Sequence, residues 1–293
     1  MDIFKTIEIG CYTLFLLNIL VLRRNREFIL LLSLSLVFAF LFENSAVILS
    51  KDSVGGYHYS DMFHLYLLHT PLFVILSWSL IISSTYFYLK TTRIPERLIP
   101  IFTGLLALMF DLSMDIFAIR FRFWFWNGYS FSDGFFGVPG NNYLGWFLVS
   151  WIFVLVYQRI RWKILAPIIA FALYTCVMTL IILPVQNVLG IEYMSELIFD
   201  LVLIVSVILI HLIVYRKHWH KPYLSSDMIP FIINRIAFLL FSVFSLFVFY
   251  KLVFLLVVGI MIFIEAVIYT SLHRCRAFTS SQLTFPIFLY PFF

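Results

Sequence analysis

The sequence predicts an all-α polytopic membrane protein. The expected form is a bundle of about nine transmembrane helices (eight is the other count), with the N-terminus outside and the C-terminus cytoplasmic. Three observations predict it. Of the 293 residues, 63% are hydrophobic and only 12% are charged, roughly half the charged share of a soluble domain; mean hydropathy is +1.02. The apolar residues fall into runs that can cross a bilayer, which takes about 20 residues per helix. Lys and Arg collect in alternate connections, as the positive-inside rule requires. This composition excludes a soluble enzyme, a disordered tail and a nucleic-acid binder, because the formal charge of +5 comes from cations spread between apolar runs. The whole chain, 1–293, reads as a single integral domain of the cell membrane.

Spans are expected at 4–22, 28–50, 64–89, 99–123, 142–160, 164–184, 196–215, 229–249 and 252–272. The first run is too long for a signal-peptide core and has no A-x-A-like cleavage site, so it reads as a retained span. The stretch 229–272 would be about 60 Å long as one helix, enough for two crossings; Lys251 therefore marks a turn. An eight-span version would make this end re-entrant. The cations support the alternation. Arg23, Arg24, Arg26, then Lys90, Arg93, Arg97, then Arg159, Arg161, Lys163, then Arg216, Lys217, Lys221, and finally Arg274 and Arg276 follow the odd-numbered spans. The intervening connections hold Lys51, Arg120 and Arg122, and Lys251. Gly and Pro breaks are expected only in loops, and no internal repeat is visible.

Most acids fall toward the outer side, which loops explain for Asp52, Asp61 and Asp133 but not for acids inside spans. Asp111 and Asp115 stand at i and i+4 in the fourth span and share a face. Gly104, Ala107, Ala118 and Arg122 fall on the same stripe, whose small residues point it into the bundle. A charged Asp near the bilayer centre costs about 2.5–3.5 kcal/mol, so Asp111 must be paired, wet or neutral. It is a functional candidate; the structural reading is an interhelical hydrogen bond or an ion pair with Arg120 or Arg122. Glu43 is a second acid inside a span. Glu196 and Asp200 repeat the i, i+4 spacing at the start of the seventh span, where a helix N-terminus also favours acids. Glu8 and Glu265 read as structural.

Two outer connections stand out. One is Gly55-Gly56-Tyr57-His58-Tyr59-Ser60; the other, 124–146, is WFWNGYSFSDGFFGVPGNNYLGW. Gly, Asn and aromatics at this density predict a structured lid, although an interfacial aromatic belt explains Trp124 and Trp126 by itself. Aromatic residues make up 20% of the chain; Phe238, Phe241 and Phe244 read as lipid-facing or packing residues. Cys11, Cys176 and Cys275 form no disulfide framework. His64, His69, His218 and His220 supply no metal set on one face. No nucleotide or nicotinamide fingerprint is present, so the chemistry is expected to run without cofactor or metal.

Phe42-Glu43, Gly56-Tyr57-His58-Tyr59, Pro71 with Trp78, Asp111-x-x-x-Asp115, Trp124 with Trp126, and the run from Gly137-Val138-Pro139 to Asn142-Tyr143-Leu144-Gly145-Trp146 occur together in this order. Over about 35–200 this resembles the carotenoid biosynthesis family that includes the carotenoid 1,2-hydratases of the bisanhydrobacterioruberin type. The chain departs from the family's pattern at Asp115, which is followed by Ile116 where the family commonly has Pro, and between Trp126 and Gly137, where a Gly-Gly-Tyr-Tyr is absent. The resemblance implies addition of water to the terminal C1,2 double bond of an acyclic carotenoid. It implies Asp111, Asp115 and Glu43 as catalytic residues, and Tyr57, His58, Tyr59, Trp124, Trp126, Pro139, Asn142 and Trp146 as substrate-binding residues. The implied partners are a lipid-soluble polyene, water, membrane lipids and other carotenoid-pathway enzymes. Two other functions share features with the chain. An intramembrane prenyltransferase would use Asp111/Asp115 and Glu196/Asp200 as Mg²⁺-diphosphate motifs, but Thr103 and Ala107 stand where its first motif needs Asn and Asp. A proton-coupled transporter would use the acids as a proton path.

Overall fold

The computed structural model describes residues 2–215, 225–249 and 251–273. Arg216, Lys217, His218, His220, Lys221, Arg274, Cys275 and Arg276 lie outside the described residues. The helices are α1 (Ile3–Leu22), α2 (Arg26–Ser50), α3 (Leu72–Thr91), α4 (Ile99–Arg120), α5 (Gly140–Arg159), α6 (Ala166–Val177), α7 (Leu183–Leu189), α8 (Tyr193–Tyr215), α9 (Ile229–Val248) and α10 (Leu252–His273). A π-helical segment, Met178–Ile182, joins α6 to α7, so the described residues form nine rods. Among the described residues, seven helices are long and apolar enough to cross a membrane by length and composition. The chain is an all-α, multi-pass membrane protein, and α9 and α10 are separate helices that break at Lys251 as expected.

Local chemistry sets the helix starts. Asp2 and Asn25 cap α1 and α2 by accepting from the N–H groups of Phe4 and Phe28, at 3.0 and 3.1 Å. Three helices begin alike: a 3₁₀ turn (Glu96–Leu98, Lys163–Leu165 or Ser226–Met228) leads into α4, α6 or α9 with Pro100, Pro167 or Pro230 in the first turn. Proline is tolerated there because the first helical N–H groups have no intrahelical acceptor.

Three boundaries differ from expectation. The third span starts at Leu72 and not at 64, because residues before it fold back as a hairpin of β2 (Tyr66–Leu67) and β3 (Thr70–Pro71). Pro71, with φ −58°, then heads α3. The fourth span stops at Arg120; Arg122 adopts a left-handed φ of 60° and turns the chain out, so Arg122 is exposed and leaves the Gly104–Asp115 stripe. The sixth span is itself broken. Pro184 offers no N–H and its ring crowds the carbonyl one turn earlier, and the wider π turn before it relieves both.

α3 and α4 form the buried centre, covered over 89% and 83% of their apolar windows, whereas α1, α8 and α9 are mostly lipid-facing. α4 packs on α3 and α5, α5 on α6 and α8, and α1 on α3 and α9. Two glycines allow close approach. A Cβ on Gly104 would lie 2.7 Å from the Phe147 carbonyl oxygen of α5, and one on Gly140 would lie 2.6 Å from the Leu197 backbone of α8. The connections after α1, α3 and α5 lie at one end of the bundle, where Lys90 pairs with Glu27 at 2.9 Å, Gln158 donates to the Glu96 carbonyl at 3.3 Å and Asn25 donates to Asp227 at 3.2 Å. At the other end, β1 (Tyr57–Tyr59) pairs antiparallel with β4 (Trp124–Trp126) in the register Tyr57–Trp126, His58–Phe125, Tyr59–Trp124. The two aromatic connections are thus one ribbon.

Candidate functional site

The ribbon covers a cavity of about 240 Å³ between α1, α3, α4 and α9. Strand alternation turns Tyr57 and Tyr59 inward and His58 outward. His58 is exposed and stacks on Phe125 at 5.2 Å, outside the cavity lining. Pro139 is buried at the head of α5, where its fixed φ of −62° starts the helix, and it is not among the residues that line the cavity. Tyr57, Tyr59, Trp124, Trp126, Asn142 and Trp146 all line it, with Glu43 and Asp115.

Glu43 is 5% exposed and accepts three hydrogen bonds. Tyr57 and Tyr59 donate to Oε2 at 2.5 and 2.8 Å, and Trp78 Nε1 donates to Oε1 at 2.5 Å. Burial first, and the neighbouring Glu43 second, push both phenols well above the ordinary tyrosine range, so they stay protonated and donate. Trp78 was not among the expected site residues. The signal was available: a Trp about 9 Å below the start of its helix is too deep for the aromatic belt and needs an acceptor for its N–H. The Trp78 and Trp146 rings lie 4.0 Å apart between centroids, giving the cavity a double indole wall.

Asp111 and Asp115 are buried on one face of α4 with Gly104, Ala107 and Ala118. One amide joins them: Asn142 Nδ2 donates to Asp111 Oδ2 at 2.8 Å and to Asp115 Oδ2 at 2.6 Å. Neither arginine considered for an ion pair reaches them. Arg120 lies over the Phe131 ring at 4.0 Å and donates to the Phe136 carbonyl at 3.4 Å. Only Asp115 borders the cavity; Asp111 sits behind it, and its Oδ1 is buried without a hydrogen-bond partner. Trp126 Nε1, at the cavity's edge, is a buried donor likewise without a partner.

The second acid pair is engaged by the adjacent residue. Asn141 N–H donates to Glu196 Oε1 at 2.8 Å, the Asn141 and Gln186 side chains exchange two bonds of 3.0 Å, and Gln186 donates to Asp200 at 3.1 Å. This cluster packs α5 against α7 and α8, away from the cavity. Glu8 and Glu265, read as structural, each have partners. Glu8 receives His64 and Leu65 N–H bonds at 3.1 and 3.2 Å, and Glu265 pairs with Arg235. In the lid, Ser130 donates from its hydroxyl and its backbone N–H to Asp133, holding that exposed carboxyl below its usual range. No three His, Cys, Asp or Glu side chains converge as a metal site among the described residues.

A family profile described as carotenoid biosynthesis protein matches residues 3–214. The chain belongs to this carotenoid biosynthesis family. The match covers every helix from α1 to α8, a wider span than the motif region 35–200, and gives the protein a role in carotenoid biosynthesis. No curated protein and no solved structure matches the chain. Within the family member, α9 and α10 lie beyond the matched region, yet Phe238 and Phe241 of α9 line the cavity. Both are packing residues as expected, against Phe110 and Phe123, and they form part of the cavity wall; Phe244 is 48% exposed.

Proposed function

We propose that this carotenoid biosynthesis protein is a hydratase of the cell membrane. It adds water across the terminal C1,2 double bond of an acyclic carotenoid. The observation that carries the reading is the pairing of two carboxyls on one apolar, aromatic cavity: Asp115, joined through Asn142 to Asp111, and Glu43, fixed by three donors. Protonating a trisubstituted alkene takes an acid held against the double bond in a dry site. Asp115 is that acid. Its proton goes to C2 with the alkene's electron pair, leaving a tertiary cation at C1. The ring faces of Trp78, Trp146 and Trp126 lie beside the position of that charge and stabilise it. A water oxygen forms the bond to C1, and its proton passes to Glu43; proton return to Asp115 through solvent resets the site. Asp111 acts behind Asp115, through Asn142, as a positioning residue. The reaction uses this chain's side chains and water, takes its polyene from membrane lipid, and feeds other carotenoid-pathway enzymes.

The direct test is the carotenoid profile of a lycopene-producing host with and without this chain. A new product heavier by one water, absent with the Asp115→Asn variant, supports the proposal. An unchanged profile despite membrane-inserted protein contradicts it.

A further inference from the structure

The cavity is open on one side. Its α3 and α4 walls are buried, but its α1 and α9 walls are not: Gly10, Cys11 and Leu14 face Ala237, Phe238 and Phe241, and all six are only partly covered. A side chain on Gly10 would meet nothing within 4 Å. Both ends of this seam are closed. Toward the end that holds Lys90 and Glu27, Asn18 and Asn234 exchange amide hydrogen bonds of 2.8 and 3.2 Å, and Asn234 also donates to Ser84 at 3.2 Å. Toward the ribbon end, Phe4 meets Phe63 and Phe123 edge-on at 5.0 and 5.2 Å, and Phe123 stacks against Phe241 at 6.5 Å.

Size decides what this opening admits. From Asn234 to Phe241 the lining spans about two helical turns, roughly 10 Å. The volume of about 240 Å³ falls below the roughly 300–1,000 Å³ of sites that enclose a drug-sized ligand. A polyene long enough to cross the hydrocarbon core, about 30 Å, therefore fits by one end only, and its remainder needs an apolar exit at membrane depth. The gap between α1 and α9 is such an exit.

We propose that the gap between α1 and α9 is a lateral portal through which one end of a long isoprenoid chain slides from the bilayer to Asp115 and Glu43, the rest of the chain staying in lipid. The portal deepens the hydratase reading and rests on it only for what happens at the inserted end. One of its two sides, α9, lies outside the residues matched by the family profile.

The test uses the full-length chain in liposomes with Cys11, Cys176 and Cys275 replaced by Ser. Gly10→Cys places a thiol in the portal; Leu16→Cys places one on the far face of α1, where Leu16 is 60% exposed. Both are labelled with a lipid-soluble maleimide, with and without lycopene in the membrane. The portal predicts that lycopene slows labelling of Gly10→Cys several-fold and leaves Leu16→Cys unchanged, and that adding Ala237→Trp removes the protection. Equal labelling of Gly10→Cys with and without lycopene overturns the portal, as does wild-type protection in the Ala237→Trp variant. Protection needs no turnover. Lycopene protection without any hydrated product would keep the portal and remove the hydratase reading; hydrated product without protection would do the reverse.

Discussion

Asp111/Asp115 and Glu196/Asp200 are the same i, i+4 acid motif used twice, and adjacent asparagines at the head of α5 hold them. Asn142 joins the first pair, and Asn141 with Gln186 ties down the second. The difference lies in what each pair faces. Asp115 borders a cavity walled by indoles and roofed by the β1–β4 ribbon, whereas Glu196 and Asp200 face the α5–α7–α8 packing. Spacing puts two carboxyls on one helix face; the space in front of them decides between chemistry and packing.

The largest contrast should come from the acids themselves. Asp115→Asn removes the proposed proton donor, and the expected loss of hydration is about 10²–10⁴-fold, the range for a general acid. Asp200→Asn should leave turnover within a few-fold. Equal losses from both, measured as product formed per membrane-inserted protein, would erase the distinction. The asparagines sharpen it. Asn142→Ala leaves two buried carboxyls without their shared donor and should lower hydration about tenfold or more, a differential effect above 1.4 kcal/mol. Asn141→Ala keeps the backbone bond to Glu196 but should cost about 1–3 kcal/mol of stability through the orphaned Gln186 amide, seen as a lower Tm with turnover per folded molecule kept.

The two close-approach glycines divide in the same way. Gly104→Ala pushes α4 from α5, on which Asp115 and Asn142 sit, and should reduce both turnover and Tm. Gly140→Ala pushes α5 from α8 and should act mainly on Tm. Each carries about 1–3 kcal/mol of overpacking. The smallest effect concerns the ribbon. Tyr59→Phe removes one of three bonds to Glu43 and leaves two donors in place; it should cost about 0.5–1.5 kcal/mol, the usual net contribution of one hydrogen bond, with Tyr57→Phe similar. Because both phenols are raised in the fold, their contribution is full below about pH 10, the ordinary tyrosine value, and is lost as pH climbs through the raised value. A ribbon that loosens on acidification and tightens in alkali, followed by Trp fluorescence, would contradict this sign.

Much of this was legible in the residues. Hydropathy and cation placement located the rods and the turn at Lys251, because both follow from the cost of putting charge in lipid. The i, i+4 rule gave the buried stripe of Gly104, Ala107, Asp111, Asp115 and Ala118, and failed only at Arg122, where the helix had already ended. What stayed hidden depends on tertiary pairing. Nothing local in Tyr57–Tyr59 names Trp124–Trp126 as its partner strand, so the inward and outward assignment of His58 could not be made. The cavity wall on α9 is equally non-local: Phe238 reads like any lipid-facing Phe until α1 and α3 are placed opposite it. Pro184 did carry a local signal, since a proline inside a span predicts a distorted turn.

The measurement closest to the central claim uses purified protein in liposomes with lycopene, in water labelled with oxygen-18 and then in deuterium oxide. The account predicts a tertiary alcohol carrying one labelled oxygen at C1 and, in deuterium oxide, one deuterium at C2, with neither product formed by Asp115→Asn. Unreacted lycopene with folded wild-type protein, or full label incorporation by Asp115→Asn, would contradict it.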